Sequence, residues 1–397
     1  MTLSNGRHYL AIPGPSVAPD EVLRAMHRPS PNIYEGPLVD MVPGIVADLK
    51  KVARTEGEAV IYIANGHGAW EAALANTHSR GDRSLVLATG RFGHGWAEMA
   101  ERMGVICDVL DFGRSDTHDL ERVEAALRAR DDYASVLVTH VDTSSSVLND
   151  VAAVRALMDR VGSGALLMAD CIASLACDRF EMDALGVDVM VAGCQKGLMV
   201  PPGMSYVFFN AKADAARETA NCVTSYWDWR PRAAPEDFYQ YFGGTAPTHH
   251  LYGQRAALDM IFAEGLEAVW ARHRALAGAV WAALDCWAQD GPLRMNIGDP
   301  ALRSNAVTAV SIGKPHGAQL RGWLTQNAGV TLGIGLGMAT EEDPASEGYF
   351  RIGHMGHVNA QMVLGLLGTM EAGMRALQVP FGAGALEAAA MACTEAG

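Results

Sequence analysis

The sequence has few basic residues for its length. Its 397 residues include 31 Lys and Arg against 45 Asp and Glu, which gives a formal net charge of −14 at pH 7. Nucleic acids and anionic membranes attract proteins that carry a basic field, so this composition argues against both as main partners. It leaves open a small anion that binds in a local pocket.

Paired cysteines and long apolar runs are also missing. The seven cysteines are scattered, their number is odd and no C-x-x-C occurs, which argues against a disulfide framework and against a zinc site. No stretch of about 20 uncharged apolar residues is present, so no membrane span is predicted. The first residues lack the apolar segment of a signal peptide. Together these absences predict a cytoplasmic protein with reduced thiols and no metal.

Between residues 58 and 210, short apolar runs alternate with amphipathic segments. Seven runs have strand length and are rich in branched or aromatic residues: Ala59–Ala64, Ser84–Ala88, Val105–Leu110, Ser135–Thr139, Ala165–Ala169, Val187–Ala192 and Met204–Phe209. Glu121–Arg130 and Val151–Val161 carry apolar residues on one face, which is typical of surface helices. The alternation predicts an α/β fold with a mostly parallel seven-stranded sheet that is covered by helices on both faces.

The pattern changes after about residue 210. Residues 221–250 are rich in aromatic residues, proline and glycine, and a long helix-like run follows from Leu251 to Trp287. The rest predicts a smaller α+β lobe with strands Ala306–Ile312, Val330–Ile334 and Tyr349–Gly353 and helices Gly317–Asn327 and Val358–Leu377. We therefore expect an N-terminal arm (1–16), a large domain (17–264) and a small C-terminal domain (265–397).

Polar residues follow three of the predicted strands, and open α/β sheets bind ligands beyond the carboxyl ends of their strands. Asn65, Gly66 and His67 precede a helix, whose free N–H groups and dipole make an anion cradle, although a plain tight turn explains them equally well. Asp170 ends a buried run, where a carboxylate is costly unless a cation or hydrogen-bond donors meet it; a helix cap or a salt bridge is the alternative. Lys196 follows another apolar run, either as an exposed turn residue or as a Schiff-base lysine.

These three features together meet the requirements of pyridoxal phosphate (PLP). A lysine forms an imine with the cofactor, an acid pairs with its protonated pyridine nitrogen, and a helix N-terminus takes its phosphate. Asp170 and Lys196 are far enough apart in the sequence to leave room for one helix and one strand between adjacent strand ends.

The sequence resembles the class V, fold-type I aminotransferases, which depend on PLP, and within them the serine–glyoxylate and alanine–glyoxylate group. The resemblance covers nearly the whole chain. It rests on five stretches in the same order, namely IPGPSVAPDEVLRAMHRP (12–29), NGHGAWEAALANT (65–77), FEMDALGVDVMVAGCQKGLMVPPG (180–203), LYGQRAALDMIFAEGLEAVWARH (251–273) and FRIGHMG (350–356). It implies a homodimer with shared active sites, or a tetramer.

The resemblance assigns a role to each matching residue. Lys196 would bind the cofactor covalently and carry the proton between Cα and C4′, and Asp170 would pair with the pyridine nitrogen. Arg351 would hold the substrate α-carboxylate through a bidentate guanidinium contact. The other implied cofactor contacts are Asn65, Gly66 and His67 at the phosphate, Gln195 beside the lysine, Phe92 and Ile172 on the two ring faces, Thr143 near the 3′-oxygen, and Thr245 at the neighbouring subunit's phosphate. Core packing is the alternative for Phe92, an ordinary helix start for His67 and a structural salt bridge for Arg351.

Two stretches depart from the family pattern. Relatives commonly have Asp-His-Arg-Ser-Pro where this sequence has Asn32–Pro37, a segment that lies over the substrate in the family. We therefore expect Tyr34 and Glu35 to contact the substrate and to select a different amino donor. Relatives also end the loop that begins at Asp142 in Thr-Gly, whereas Ser146 stands here, which is expected to shift the loop near the cofactor ring.

The expected function is amino transfer from a small amino acid, such as alanine or serine, to glyoxylate or pyruvate by a ping-pong mechanism. A pyridoxamine–pyruvate aminotransferase also carries a tyrosine and an acid at the first departure, and it is the main alternative. Its phosphate loop is not built for a phosphate, however, whereas His67 suggests one here. A lyase or cysteine desulfurase would need a nucleophilic cysteine on a mobile loop, and neither Cys222 nor Cys286 lies in a recognisable one. A cofactor-binding protein without turnover also stays open.

Overall fold

A computed structural model describes residues 2–394 of the chain, in which two β-sheets are surrounded by helices. The strands are β1 (Tyr9–Ala11), β2 (Glu58–Tyr62), β3 (Arg83–Ala88), β4 (Ile106–Asp111), β5 (Tyr133–Thr139), β6 (Leu166–Asp170), β7 (Val189–Gly193), β8 (Ser205–Phe209), β9 (Arg294–Met295), β10 (Val307–Ser311), β11 (Val330–Ile334) and β12 (Tyr349–Gly353).

The helices fill the connections between the strands and extend the chain after β8. They are α1 (Asp20–Met26), α2 (Pro37–Ala53), α3 (Gly66–Thr77), α4 (Arg91–Arg102), α5 (Leu120–Ala129), α6 (Val151–Val161), α7 (Ala211–Ala216), α8 (Arg230–Ala233), α9 (Thr248–Glu264), α10 (Leu266–Trp287), α11 (His316–Ala328), α12 (Ala360–Ala376) and α13 (Ala385–Thr394). Short 3-10 turns lie at Phe238–Phe242 and Pro300–Leu302. Among these helices, none combines the length and the apolar character that crossing a bilayer requires.

The large sheet has seven strands in the order β2-β8-β7-β6-β5-β3-β4. Strand β8 runs antiparallel to β2 and β7, and the other neighbouring pairs are parallel. Alternate residues of the strands enter two separate hydrophobic clusters, one on each face of the sheet. Because both faces are buried, the strands read as continuous apolar runs in the sequence. The predicted seven-stranded, mostly parallel sheet is thus confirmed.

The second sheet has five strands in the order β1-β11-β12-β10-β9, and it has a hydrophobic cluster of its own with α10 to α13. All strands and helices that the sequence predicted after residue 300 are present, with ends that move by up to two residues. Strand β1 pairs parallel with β11, so residues near the N-terminus complete the sheet of the C-terminal part. The domain limits given above remain a prediction.

The prediction of one continuous helix-like run from Leu251 to Trp287 is wrong. The structure has two helices here, because Gly265 takes φ 90° and ψ 132°, which is not a helical conformation, and separates α9 from α10. All seven cysteines are free thiols; three are buried and four are partly buried.

Candidate active site

Three of the predicted site residues, Asp170, Lys196 and Asn65, lie at the carboxyl ends of strands of the large sheet. Asp170 is the last residue of β6, Lys196 follows β7, and these two strands are neighbours in the large sheet. Asn65 follows β2 and caps α3. The connection of each strand to the next element therefore brings an acid, a lysine and a helix N-terminus to the same edge of the sheet, which is where open α/β sheets bind ligands.

Asp170 is a buried acid that hydrogen bonds hold in place. Its side chain is 4% exposed, and it accepts bonds from the indole Nε1 of Trp70 (3.0 Å) and from the backbone N–H of Ile172 (2.8 Å). Burial raises the pKa of Asp170 to about 7, against the effect of these two donors. Within residues 2–394 no cationic side chain forms an ion pair with it. The carboxylate is thus suited to a cationic partner that is not part of the chain.

Lys196 is held by residues of the N-terminal arm. Its Nζ donates to the carbonyl oxygen of Pro13, and its side chain lies against Gly14, where it occupies the space that a β-carbon would need. The hydroxyl of Ser16 donates to the carbonyl of Lys196 (2.7 Å), and the N–H of Ser16 donates to the carbonyl of Gln195 (2.8 Å). Burial, and secondarily the charge of Arg351, lower the pKa of Lys196 to about 8.

The N-terminus of α3 is capped from within its own loop. The side-chain oxygen of Asn65 accepts from the N–H groups of His67 (3.1 Å) and Gly68 (3.4 Å). Gly66 lies directly against Ile172, whose side chain fills the space that a β-carbon would need. His67 is exposed, with its ring 4.7 Å from the ring of Trp70, and partial burial followed by the charge of Arg91 lowers the pKa of His67.

Aromatic rings surround this helix start. The ring of Phe92 is partly buried and lies edge-on to Trp70 at 6.2 Å and tilted to His67 at 6.5 Å. The carboxylate of Asp142 accepts from the N–H groups of Phe92 (2.8 Å) and Gly93 (3.1 Å), so it caps α4 and fixes the position of Phe92.

A cavity of about 890 Å³ opens beside these rings, lined among others by His67, Trp70, Arg91, Phe92 and Gly337. Its volume is in the range of small-molecule sites. The lining does not include the lysine or the acid, so we interpret the cavity as an approach to the ring cluster and place the reaction centre at the strand ends.

Arg351 is a buried arginine on β12 whose orientation is set by two backbone carbonyls. Its side chain is 6% exposed; Nε donates to the carbonyl of Ile334 (2.7 Å) and Nη1 donates to the carbonyl of Thr143 (2.9 Å). Burial lowers the pKa of Arg351 to about 10, and the charge of Asp142 acts in the opposite direction. No carboxylate of residues 2–394 pairs with this guanidinium, so the structural salt bridge considered above is not formed. Three of its five N–H donors remain for a ligand.

Four predicted contacts are less well defined. Tyr34 is 88% exposed, and Glu35 beside it is exposed as well. Thr245 is exposed after the turn at Phe238–Phe242. Among the hydrogen bonds and ion pairs of the described residues, none joins these three side chains to Lys196 or Asp170. Thr143 is buried, and its carbonyl accepts from Nη1 of Arg351.

Two residues of the site were not identified from the sequence. Trp70 donates to the buried acid, and Asp142 fixes both Phe92 and the loop that contacts Arg351. The sequence held a signal for Trp70, because it lies one helical turn after Gly66 and so faces the same side as the start of α3. Asp142 lies three residues after the end of the predicted strand Ser135–Thr139, a position similar to that of Asp170 after its own predicted strand.

Comparisons with known proteins agree with this geometry. Residues 8–361 match the family described as Aminotransferase class-V. The serine–glyoxylate aminotransferase of Arabidopsis thaliana is 34% identical over 92% of this chain and 90% of its own. The L-aspartate–glyoxylate aminotransferase of Paracoccus denitrificans is 34% identical over 96% and 94%. The crystal structure of pyridoxamine–pyruvate aminotransferase from Mesorhizobium loti covers 100% of both chains with a TM-score of 0.88 and 25% identity. The chain therefore belongs to the class V aminotransferase family and is a transaminase.

Proposed function

We propose that the chain is a PLP-dependent aminotransferase that moves an amino group from a small amino acid to glyoxylate or pyruvate. The observation that carries the proposal is the meeting of a buried acid, a partly buried lysine and a capped helix N-terminus at strand ends on the same edge of the large sheet. The Arabidopsis and Paracoccus relatives are named for glyoxylate as acceptor, and they support this acceptor here.

The donor groups present fit PLP. Asp170 would hold the proton of the pyridine nitrogen, because it is a buried carboxylate with two neutral donors and no cationic partner among the described residues. Asn65, Gly66 and His67 would meet the phosphate at the start of α3, with Gln195 beside the lysine. Phe92, Ile172 and Thr143 would contact the ring. When bound, PLP supplies an aldehyde that links to amines and a ring that accepts electrons.

Lys196 would both bind the cofactor and act as the base at the substrate Cα. A lysine with a pKa of about 8 is roughly one tenth neutral at pH 7, whereas an ordinary lysine is almost fully charged. Its hydrogen bond to the carbonyl of Pro13 and its contact with Gly14 hold Nζ in a defined position. The lysine can therefore accept the Cα proton and return it at the cofactor carbon without a second base.

Arg351 would orient the substrate by its α-carboxylate. Two of its donors are taken by carbonyls, and the remaining ones on Nη1 and Nη2 can meet both oxygens of a carboxylate. Because the guanidinium is buried, this contact is screened little by water. The same grip serves the amino acid and the 2-oxo acid, as a ping-pong reaction requires.

A homodimer with shared sites is part of the proposal. Thr245 would reach the phosphate bound by a second subunit, and Tyr34 and Glu35 would lie over the substrate. The exposure of all three side chains in a single chain supports their contact with a second copy or with the substrate. Equilibrium sedimentation of the purified protein tests the dimer, and a monomer would contradict it.

The experiment that tests the reaction follows the cofactor and the products. Single amino acids are added to the purified protein with PLP, and the absorbance is followed for conversion to the pyridoxamine form. Each active donor is then combined with glyoxylate or pyruvate, and the new amino acid is measured by mass spectrometry. Failure of every donor to convert the cofactor would contradict transamination, and sulfide release from cysteine would favour a desulfurase.

The pyridoxamine–pyruvate alternative is favoured by Tyr34 and Glu35 and by the Mesorhizobium structure. It differs in that the vitamer is a substrate and not a resident cofactor. Borohydride reduction followed by peptide mapping should find PLP attached to Lys196 after extensive dialysis. Loss of all vitamer on dialysis, together with turnover of pyridoxamine and pyruvate, would establish the alternative.

A further inference from the structure

We propose that Ser146 is a positioning residue for Arg351. It fastens the loop that contacts the guanidinium to strand β10, and it thereby fixes one of the two carbonyls that set the orientation of the arginine. The proposal rests on the carboxylate-binding role proposed for Arg351 above.

Ser146 has a conformation that favours glycine. Its φ is 64°, and its side chain is 3% exposed. A β-carbon makes this left-handed conformation unfavourable, so other contacts must hold it. The hydroxyl of Ser146 donates to the carbonyl of Ser145 (2.6 Å) and accepts from the N–H of Ala309 (3.1 Å), while its N–H donates to the carbonyl of Asp142 (2.8 Å). A glycine at this position would have no hydroxyl to make the first two bonds.

The N–H of Ala309 needs the Ser146 hydroxyl as an acceptor because β9, the strand on this side of β10, is too short to supply one. Strand β10 pairs with β9 only at Val310 and Ser311. One residue further, the backbone N–H of Asn296 donates to the carbonyl of Ala309 (2.9 Å). In a regular antiparallel pair the N–H of Ala309 would donate back to the carbonyl of Asn296, but here it donates to the hydroxyl of Ser146. Ala309 is 1% exposed, and a buried N–H without a partner is unfavourable. The serine hydroxyl thus completes the sheet at this residue.

The bond between Ser146 and Ala309 is connected to Arg351 in two ways. Ala309 is the register partner of Arg351 across β10 and β12. Three residues before Ser146 in the same loop, the carbonyl of Thr143 accepts from Nη1 of Arg351. The side chain of Asn296 adds a bond to the carbonyl of Ser145 (2.8 Å). Both ends of the loop are therefore attached to the strand pair that carries the arginine, and loss of the Ser146 bond frees the Thr143 carbonyl to move.

The test compares Ser146→Gly, Ser146→Ala and a control, Ser145→Ala. The glycine variant removes the hydroxyl but also relieves the left-handed conformation, so its melting temperature should stay close to that of the wild type. Its KM for the amino donor and for the oxo acid should nevertheless rise about tenfold, with a smaller change in kcat, because the carboxylate grip is misplaced. Ser146→Ala should show the same rise in KM with a lower melting temperature. Ser145 makes only 3.4 Å side-chain contacts within its own loop, so its variant should keep the wild-type KM.

The dissociation constant of acetate, measured by titration of the protein with bound PLP, gives a readout that does not need turnover. It should rise about tenfold in both Ser146 variants and stay unchanged in Ser145→Ala. If Ser146→Gly binds acetate as the wild type does, the proposal is wrong. A rise confined to Ser146→Ala, in step with its melting temperature, would also overturn it by showing a merely structural role. A wild type that binds acetate but turns over no donor would contradict the proposed function instead, and the acetate constants would still decide the role of Ser146.

Discussion

Replacing Trp70 by phenylalanine should destabilise the protein in a pH-dependent way once the cofactor is removed. The substitution deletes the indole N–H that donates to Asp170 at 3.0 Å and keeps an aromatic ring in a site that is 1% exposed. Burial raises the pKa of Asp170 from 3.8 to about 7 in the folded chain. Between these pH values the folded chain binds a proton that the unfolded chain has lost, so the free energy of unfolding falls as the pH rises through this window.

The size of the effect follows from the charge of the acceptor. A hydrogen bond to a neutral group stabilises a protein by about 1 kcal/mol and one to a charged group by about 2 kcal/mol or more. At pH 6 the carboxyl group is mostly protonated, and at pH 9 it is ionised. The loss of unfolding free energy that this bond causes in Trp70→Phe should therefore be about 1 kcal/mol larger at pH 9 than at pH 6.

Urea unfolding of the cofactor-free protein at the two pH values measures the difference. Trp96→Phe is a matched control, because Trp96 stacks on Trp70 at 5.9 Å and is equally buried, but its indole N–H has no partner in the structure. The control should lose packing energy equally at both pH values. Equal losses at pH 6 and pH 9 in Trp70→Phe, or the same pH dependence in Trp96→Phe, would refute the assignment of this bond to the ionised carboxylate.

Three further predictions concern the lysine and the arginine. Lys196→Ala should remove the borohydride-stable PLP adduct from the peptide that contains it and leave bound PLP only in exchangeable form; an adduct elsewhere would contradict this. Arg351→Lys should raise the KM for amino and oxo acids about a hundredfold while the cofactor spectrum stays unchanged, because an ammonium cannot grip both carboxylate oxygens; equal KM values would remove the role. Gly14→Ala should lower kcat at least tenfold by displacing Nζ, whereas Gly81→Ala, which shares a positive φ but points into open space, should keep the wild-type kcat.

The strands of the large sheet were predictable because strands that are buried on both faces appear in the sequence as continuous apolar runs. Residues 166–170 are buried without exception, and the predicted run Ala165–Ala169 differs from the observed strand by one residue. The break at Gly265 was missed, since the apolar periodicity of α9 continues into α10 and a single glycine inside a helical pattern is often tolerated. The local pattern of apolar residues was thus enough to predict the strands and helices, whereas the junction between α9 and α10 depended on the backbone angles of Gly265.

The contacts that complete the site were beyond local pattern. Arg351 and Thr143 are 208 residues apart in the chain, and no periodicity relates one to the other. Asp170 and Lys196 could be predicted from the sequence because both follow predicted strands, and the topology of a parallel sheet places such residues at one edge. Trp70 had a helical relation to Gly66, but which acceptor its N–H meets depends on how α3 packs on the sheet.

The position of β1 connects the N-terminal residues to both Lys196 and Arg351. Because β1 is a strand of the small sheet, the residues that follow it are fixed relative to β11 and β12, and so to Arg351. The same residues, from Pro13 to Ser16, hold the side chain and the backbone of Lys196. The segment therefore ties Lys196 to the sheet that carries Arg351, for which we propose carboxylate binding. Any movement of the small sheet would change the distance between Nζ of Lys196 and the guanidinium of Arg351 only as far as this short segment allows. If Lys196 is the base and Arg351 holds the substrate, as proposed, the segment would keep the two groups at a fixed separation in both half-reactions.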